Sequence, residues 1–545
     1  STTFNWGLSA IRLDIRATYA HTRNLHTSAL FMHGADTVAP HTCSLLPGPH
    51  LTHRSRATLG DWHRTMAQTP NVLWIVMDSQ RPHNIGAYGD QRGVPPTLDR
   101  LADEGVVFER NTSASPWCLP SHASMMTGLY ASTHGADGRY ERLSEEYPTI
   151  GEELTELGYA TVGISNNAYM GQASALHRGF MDWNYVLPSL GADDHDKGGA
   201  KVTRQMLEWL QAHRTETRPF FMFANINDTH TSYVALEPFR SQWAPHVSDD
   251  RAQEINRQGF FVDPGRPDEM PEELQRDLYA LYDGETAYVD HLTGKIVSYL
   301  RDSGELDNTM IVVTSDHGDV IEEHPPYWNH QLTVFEAVTH VPLIIRYPSV
   351  FNSGTRISDL TQTHDVVATI YDLLGATSQL SAVEESSHSL LRTIENDARA
   401  YVMCEFAFPL NMLERAVRHG NEFDLRPYFR ALRSYRRDDW KYIWASDGRD
   451  SLFNLANDPT EQTDLINEHR EKARELYDQL DAVLARIPVN DYGDWMITEY
   501  TRKRHDTAGI SSNAGDTYDA DKPIDQRCVA SAKLDLHLEA NDGSV

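Results

Sequence analysis

Lysine is nearly missing from this chain. Only eight of its 48 basic residues are lysine, against 78 acidic residues, so the formal net charge over 545 residues is -30. A balance this acidic excludes a general binder of nucleic acid or of an anionic membrane surface, because both would be repelled. It does not exclude a local positive site, since a bound divalent cation reverses the field inside one cleft. Acidity with arginine over lysine suits a protein kept soluble at high salt, and suits an ordinary acidic enzyme equally well. Cysteine is also scarce. Cys43, Cys118, Cys404 and Cys528 are widely spaced, with no CxxC pair, which excludes a disulfide framework and a zinc ribbon. Reducing conditions, and with them a cytoplasmic setting, are the expectation. No apolar run is long enough to span a bilayer, and no apolar segment is followed by a small-residue cleavage site, so a soluble protein is expected. Internal repeats are absent. What the chain does have is 40% hydrophobic residues, enough to bury a large core.

The composition changes along the chain. Residues 1–65 carry seven histidines, six arginines and three aspartates, unlike the acidic remainder. Met66 runs directly into the first convincing strand, so residues 1–65 read as an extension outside the fold, with Met66 as the natural start. From Asn71, strands alternate with helices. The apolar runs Asn71–Met77, Tyr159–Ile164, Pro219–Ala224 and Thr309–Thr314 suit central strands covered on both faces. Helices are expected over Thr97–Gly105, Thr149–Gly158 and Pro271–Leu300. This pattern predicts an α/β fold, a mostly parallel sheet with helices on both faces, over residues 66–395. Residues 396–490 read as a smaller α+β subdomain, with short antiparallel strands in Arg430–Trp444 and Ser451–Leu455 and a helix over Glu468–Ile487. Residues 491–545 read as an acidic tail.

Three strands deliver polar, metal-competent groups at their C-terminal ends: Asp78-Ser79, Asn227-Asp228-Thr229-His230, and Ser315-Asp316-His317-Gly318-Asp319. Divalent cations take carboxylate oxygen and imidazole nitrogen, and parallel strand ends gather such groups round one crevice. One Asp after a strand often only caps the next helix, but three such ends in equivalent positions point to a site. A fourth element is Ser115-Pro116-Trp117-Cys118-Leu119-Pro120-Ser121-His122-Ala123-Ser124. Pro120 suits the first turn of a helix, which puts Cys118 at the helix N-terminus, where free N–H groups favour an anion.

Cys118-Leu119-Pro120-Ser121-His122-Ala123-Ser124, with Thr127-Gly128, resembles the sulfatase signature C-x-P-S-R-A-S…T-G. Asp78, Arg81 and Ala87-Tyr88-Gly89 resemble that family's opening metal motif, and Thr314-Ser315-Asp316-His317-Gly318-Asp319 its second. Trp440-Lys441-Tyr442-Ile443 and Leu452-Phe453-Asn454-Leu455 resemble a C-terminal passage, so the resemblance runs over roughly residues 70–485, in order. It implies metal-dependent hydrolysis of a sulfate ester on an alkaline-phosphatase-like scaffold. It implies one divalent ion held by Asp78, Ser79, Cys118, Asp316 and His317, with Ca²⁺ favoured by the family. It implies a nucleophile at Cys118, oxidised to formylglycine in the family, because a gem-diol can release sulfate by re-forming its aldehyde. His122, His230 and His330 take the other catalytic positions. His134, Asn167, His230 and His330 take the substrate-binding ones.

Departures from the pattern set the alternatives. Ser79 stands where the family has a second Asp, and His122 where it has the signature Arg that accompanies conversion of Cys118. Ser165-Asn166-Asn167 replaces a lysine-bearing segment. His317 admits Mn²⁺ or Zn²⁺ beside Ca²⁺. A phosphodiester or phosphonate monoester hydrolase on the same scaffold is the rival reading, and a non-catalytic binding protein the third. A small sulfate or phosphate-type ester is the expected partner, with a homo-oligomer allowed and nucleic acid and membrane excluded.

Overall fold

The structure is a computed structural model. It describes residues 69–487 apart from 138–141, 188–196, 214–216, 258–269, 325, 326, 328, 331 and 408–429. These residues all fall in one compact unit. The expected extension over residues 1–65 and the tail over 491–545 lie outside the described residues.

The apolar run at the start becomes β1 (Asn71–Met77), and every residue from Val72 to Met77 is fully buried. Its side chains alternate between two cores, as strand geometry requires. Val72, Trp74 and Val76 pack with Leu119, Met126, Phe223 and Val366 on one face. Leu73, Ile75 and Met77 pack with Val202, Met206, Val289, Leu292 and Ile296 on the other. The helix Cys118–Thr127 covers the first face, and the helices Gly199–His213 and Glu272–Ser303 cover the second. Full burial of each aliphatic side chain stabilises the fold by about 1.5–3 kcal/mol before the entropy of ordering is subtracted.

β2 (Val106–Thr112), β3 (Ala160–Ser165), β4 (Asp182–Tyr185), β5 (Phe220–Ile226), β6 (Thr309–Thr314), β7 (Leu343–Arg346) and β8 (Thr355–Gln362) complete an eight-stranded sheet. Its order is β4-β3-β5-β1-β6-β7-β2-β8. Pairing is parallel except at β7, which runs antiparallel to both β6 and β2. The sequence showed a mostly parallel sheet, and that is what forms; its periodicity alone does not mark β7 as reversed.

β3, β5, β1 and β6 are adjacent, parallel and in register, so their C-terminal ends open on one crevice. A second sheet, β12-β11-β10-β9, is antiparallel: β9 (Val402–Phe406), β10 (Leu432–Arg437), β11 (Trp440–Ala445) and β12 (Ser451–Asn454). The helix Arg470–Leu484 packs Leu476, Leu480 and Val483 against Tyr435 and Tyr442 of this sheet. Phe406, Leu432 and Ile443 join the first core from its other side. Among the described residues no helix is long and apolar enough to cross a membrane.

Candidate active site

β1 ends at Met77, and the next two residues turn sharply into the crevice. Asp78 is fully buried, and Ser79 adopts a left-handed backbone with φ 60°. That conformation is uncommon for a residue with a Cβ, and strain of this kind concentrates at functional positions. Here it aims the Ser79 N–H at Asp316 Oδ1, 3.0 Å away at the end of the neighbouring β6. Tyr282, on the helix Glu272–Ser303, donates its hydroxyl to the Ser79 carbonyl at 2.8 Å and accepts the Arg81 N–H at 2.7 Å.

Cys118 is the first residue of its helix, preceded by Trp117 in an extended conformation. Gly128 ends the helix with φ 73°, its N–H donating to Ser124 O at 2.8 Å, a C-terminal position that glycine fills without a Cβ penalty. The Cys118 thiol lies 3.4 Å from His317 Nε2 and 3.9 Å from Asp78 Oδ1. Ligand atoms of Asp78, Cys118, Asp316 and His317 all lie within 4.8 Å of one another.

The residues present fit a divalent cation on two counts. Asp316 Oδ2 is buried without a hydrogen-bond partner. The electrostatics also demand a positive charge. Burial, with Asp78 beside it, pushes the Asp316 carboxyl well above the usual range. Burial also raises Asp78, but His230, His317, His122 and a hydrogen bond from Asn167 outweigh it and hold Asp78 below that range. Burial, followed by Asp78 and Asp316, pushes the Cys118 thiol well up. Two buried carboxylates and a thiol facing one point repel as anions, and a cation reverses that.

The other expected residues divide into those in the crevice and those behind it. His230, on the short turn after β5, and His330 both reach the crevice; their ring centroids are 4.9 Å apart, and His330 stacks on His317 at 4.1 Å. His330 donates Nδ1–H to Asp319 Oδ1 at 2.7 Å, and Asp319 accepts the Tyr233 hydroxyl on its other oxygen at 2.5 Å. Ser79, expected among the metal ligands, places its hydroxyl 3.4 Å from His317 Nδ1, on the side of the ring away from Cys118. Asn167, expected on substrate, donates to Asp78 Oδ2 at 2.5 Å. His122 is fully buried; its Nδ1–H donates to Cys118 O at 2.8 Å, and its Nε2 accepts from Asn225 at 3.0 Å. It therefore braces the nucleophile's turn from beneath. His134 is not brought to the crevice. Its Nε2 meets Ser124 Oγ at 3.1 Å and its Nδ1 accepts the Ala136 N–H at 3.1 Å, so both nitrogens are occupied against the Cys118 helix and the turn that follows it, and burial lowers it to about 3.

Several residues of the site escape sequence reasoning. Asn225, near the end of β5, donates to Asp78 Oδ2 at 3.1 Å while bonding His122. The one available signal is an Asn inside the apolar run Phe220–Ile226. Lys197 donates to the carbonyls of Asp228 at 2.6 Å and His230 at 2.5 Å and pairs with Glu285 Oε1 at 3.3 Å. It thereby clamps the turn that carries His230. Glu285 in turn accepts the N–H groups of Val234 and Ala235 at 2.9 and 3.0 Å.

The parallel sheet with acid and imidazole groups at its strand ends defines a hydrolase fold of the alkaline-phosphatase-like class. Solved structures that share it include the following two. The phosphonate monoester hydrolase of Agrobacterium radiobacter aligns with a TM-score of 0.62 at 20% identity, over 76% of this chain and 96% of its own. A protein solved with its substrate D-glucosamine-2-N,6-O-disulfate aligns at 0.60 and 19% identity, over 77% of this chain and 99% of its own. Arylsulfatase K of Xenopus laevis is 24% identical over 427 residues, 71% of this chain and 77% of that protein. The Sulfatase family model matches residues 70–376. The chain belongs to the sulfatase family, hydrolases of sulfuric esters.

Proposed function

We propose that this protein hydrolyses a sulfate monoester of a small, sugar- or aryl-type alcohol, with residue 118 as nucleophile. The observation that carries the reading is the convergence of Asp78, Cys118, Asp316 and His317 at the N-terminus of the Cys118 helix, within a chain of this family. Asp78, Asp316, His317 and residue 118 would hold the divalent ion, Ca²⁺, Mn²⁺ or Zn²⁺. Such an ion supplies charge neutralisation and a lowered pKa for the nucleophile.

The protein's own groups do the rest. The positive end of the Cys118 helix lies at the nucleophile and favours the charge of the sulfate. Asp319 holds the His330 ring with its proton on Nδ1, which raises the basicity of the opposite nitrogen. His230 and His330, side by side, contact the sulfate and pass a proton to the leaving oxygen. Left as a thiol, Cys118 is kept protonated by burial and its two acidic neighbours, which makes it a poor nucleophile without help. Oxidation to formylglycine answers this, because a hydrated aldehyde offers one hydroxyl for attack and a second that releases sulfate as the carbonyl re-forms. The names of the relatives support sulfate, and the disulfated glucosamine held by one structural neighbour supports a sugar ester.

Asp78 followed by Ser79 rather than a second Asp, together with the likeness to a phosphonate monoester hydrolase, favours a second reading on phosphonate monoesters or phosphodiesters. Turnover of aryl sulfate, bis-aryl phosphate and aryl phosphonate esters decides between them. The sulfate ester is expected to give the highest kcat/KM, and Cys118→Ala to reduce it to background. A preference for phosphonate would move the function to the second reading, and Cys118→Ala turning over at the parent rate would reject both.

A further inference from the structure

Around the same crevice lies a second donor set with different chemistry. Cys118, His230, His317 and His330 each offer one ligand atom, and these four atoms lie within 4.8 Å of one another. The set contains no carboxylate. Each imidazole has its Nδ1 directed at an acceptor on the protein: Thr231 O at 2.7 Å for His230, Gly318 O at 3.0 Å for His317, and Asp319 Oδ1 at 2.7 Å for His330. Such contacts fix the tautomer and orientation of metal-binding histidines and make the opposite nitrogen the donor. For His317 that nitrogen is the one 3.4 Å from the Cys118 sulfur. Three imidazoles and one thiolate suit a four-coordinate, borderline-soft ion and are wrong for Ca²⁺, which takes six to eight oxygens.

We propose that, while residue 118 remains cysteine, Cys118, His230, His317 and His330 form a second, overlapping thiolate–imidazole site for a transition-metal ion of the Zn²⁺ type. Binding transfers the thiol proton to solvent, forms one metal–sulfur bond and involves no change of oxidation state. The two donor sets share Cys118 and His317, so the soft site and the carboxylate site compete for the same side chains. An ion in the soft site occupies the two histidines that would face an ester and silences turnover. Loss of the sulfur at residue 118, as in Cys118→Ser, removes the soft donor and leaves preference with the oxygen-rich set. The site stands on its own geometry and does not depend on which ester the protein cleaves.

The test uses the full chain, with unmodified Cys118 verified by mass, stripped by a chelator and titrated with Co²⁺. A thiolate-to-cobalt charge-transfer band in the near ultraviolet, with the strong visible bands of four-coordinate cobalt, is expected. Cys118→Ser should lose the charge-transfer band. His230→Ala and His330→Ala should weaken binding at least about 10-fold. Asp78→Asn should leave both bands in place. His230 is only partly buried, so its variant tests the site without risking the core. Bands that survive both histidine substitutions but vanish in Asp78→Asn would place the ion on the carboxylate set and overturn the proposal; so would the absence of any charge-transfer band.

Discussion

At the strand ends, Asp78 and Asp316 lie buried beside His317 and His330, whose imidazoles burial pushes well below their ordinary range. Beneath the second sheet, Lys441 is equally buried but sits 2.8 Å from Glu336 and 2.9 Å from Glu461, with Arg436 2.9 Å from Glu336. The second cluster carries its own cationic side chains; among the described residues no lysine or arginine pairs with the acids of the first. The difference is widest between Glu336 and Asp316, while their neighbours Glu461 and Asp78 each shift the opposite way. Burial raises Glu336, but Lys441, Arg436 and His340 outweigh it and hold it far below the usual range. Asp316, with no cation beside it, is driven the other way. A buried acid inside a complete ion cluster is a structural joint. A buried acid facing other acids is a binding site in waiting.

Breaking the complete cluster should have the largest effect on stability. Lys441→Met leaves Glu336 and Glu461 buried without their lysine and is expected to cost about 3–5 kcal/mol in denaturant unfolding. Whatever folds should keep its turnover per molecule, because Lys441, Glu336 and Glu461 bond one another rather than the acids of the crevice. Asp316→Asn should do the reverse: turnover falls to background, while the metal-stripped protein melts no lower than its parent, because one of two mutually repelling carboxyls has gone. A large loss of stability in Asp316→Asn would erase the contrast between the two clusters.

A finer measurement concerns Glu461. Burial, against the pull of Lys441, raises it to about 7. A folded-state value above the ordinary one means its contribution is fully present below about pH 4.5 and is lost as pH rises through about 7. Unfolding free energy should therefore slope downward over that window by at most about 1.4 kcal/mol per pH unit, and Glu461→Gln should flatten the slope. An unchanged slope would assign the pH dependence to another group. The smallest effect is expected at Asn225, which orients Asp78 without facing the crevice. Asn225→Ala should weaken metal affinity by about 10–100-fold in direct titration, with little change in melting of the stripped protein.

The central strands were legible because burial on both faces leaves an unbroken apolar run, and Asp78, His230, Asp316 and His317 because each follows such a run directly. Cys118 stood out through Pro120 and the motif round it. Ser79's left-handed turn was not legible, because serine has no preference that announces it. Nor were Asn225, Tyr233, Tyr282, Glu285 and Lys197, whose partners lie far along the chain and meet them only once the sheet has formed. His122 and His134 show the opposite limit. Their sequence neighbourhood suggests the site, but only coordinates reveal that both nitrogens of each ring are already engaged with the protein.

β1 is flanked by β5 and β6, the second of which begins at Thr309, so the crevice cannot close until most of the chain has been made. Cys118 emerges almost 200 residues earlier and ends only 4% exposed. At roughly 5–20 residues per second, ribosomal synthesis leaves its peptide open for about 10–40 s before β6 can dock. Any enzyme that alters this side chain must act within that interval, on a nascent strand rather than on a finished protein. The topology thus sets a clock on the chemistry of residue 118: rapid elongation favours the thiol, and slow elongation its modified form.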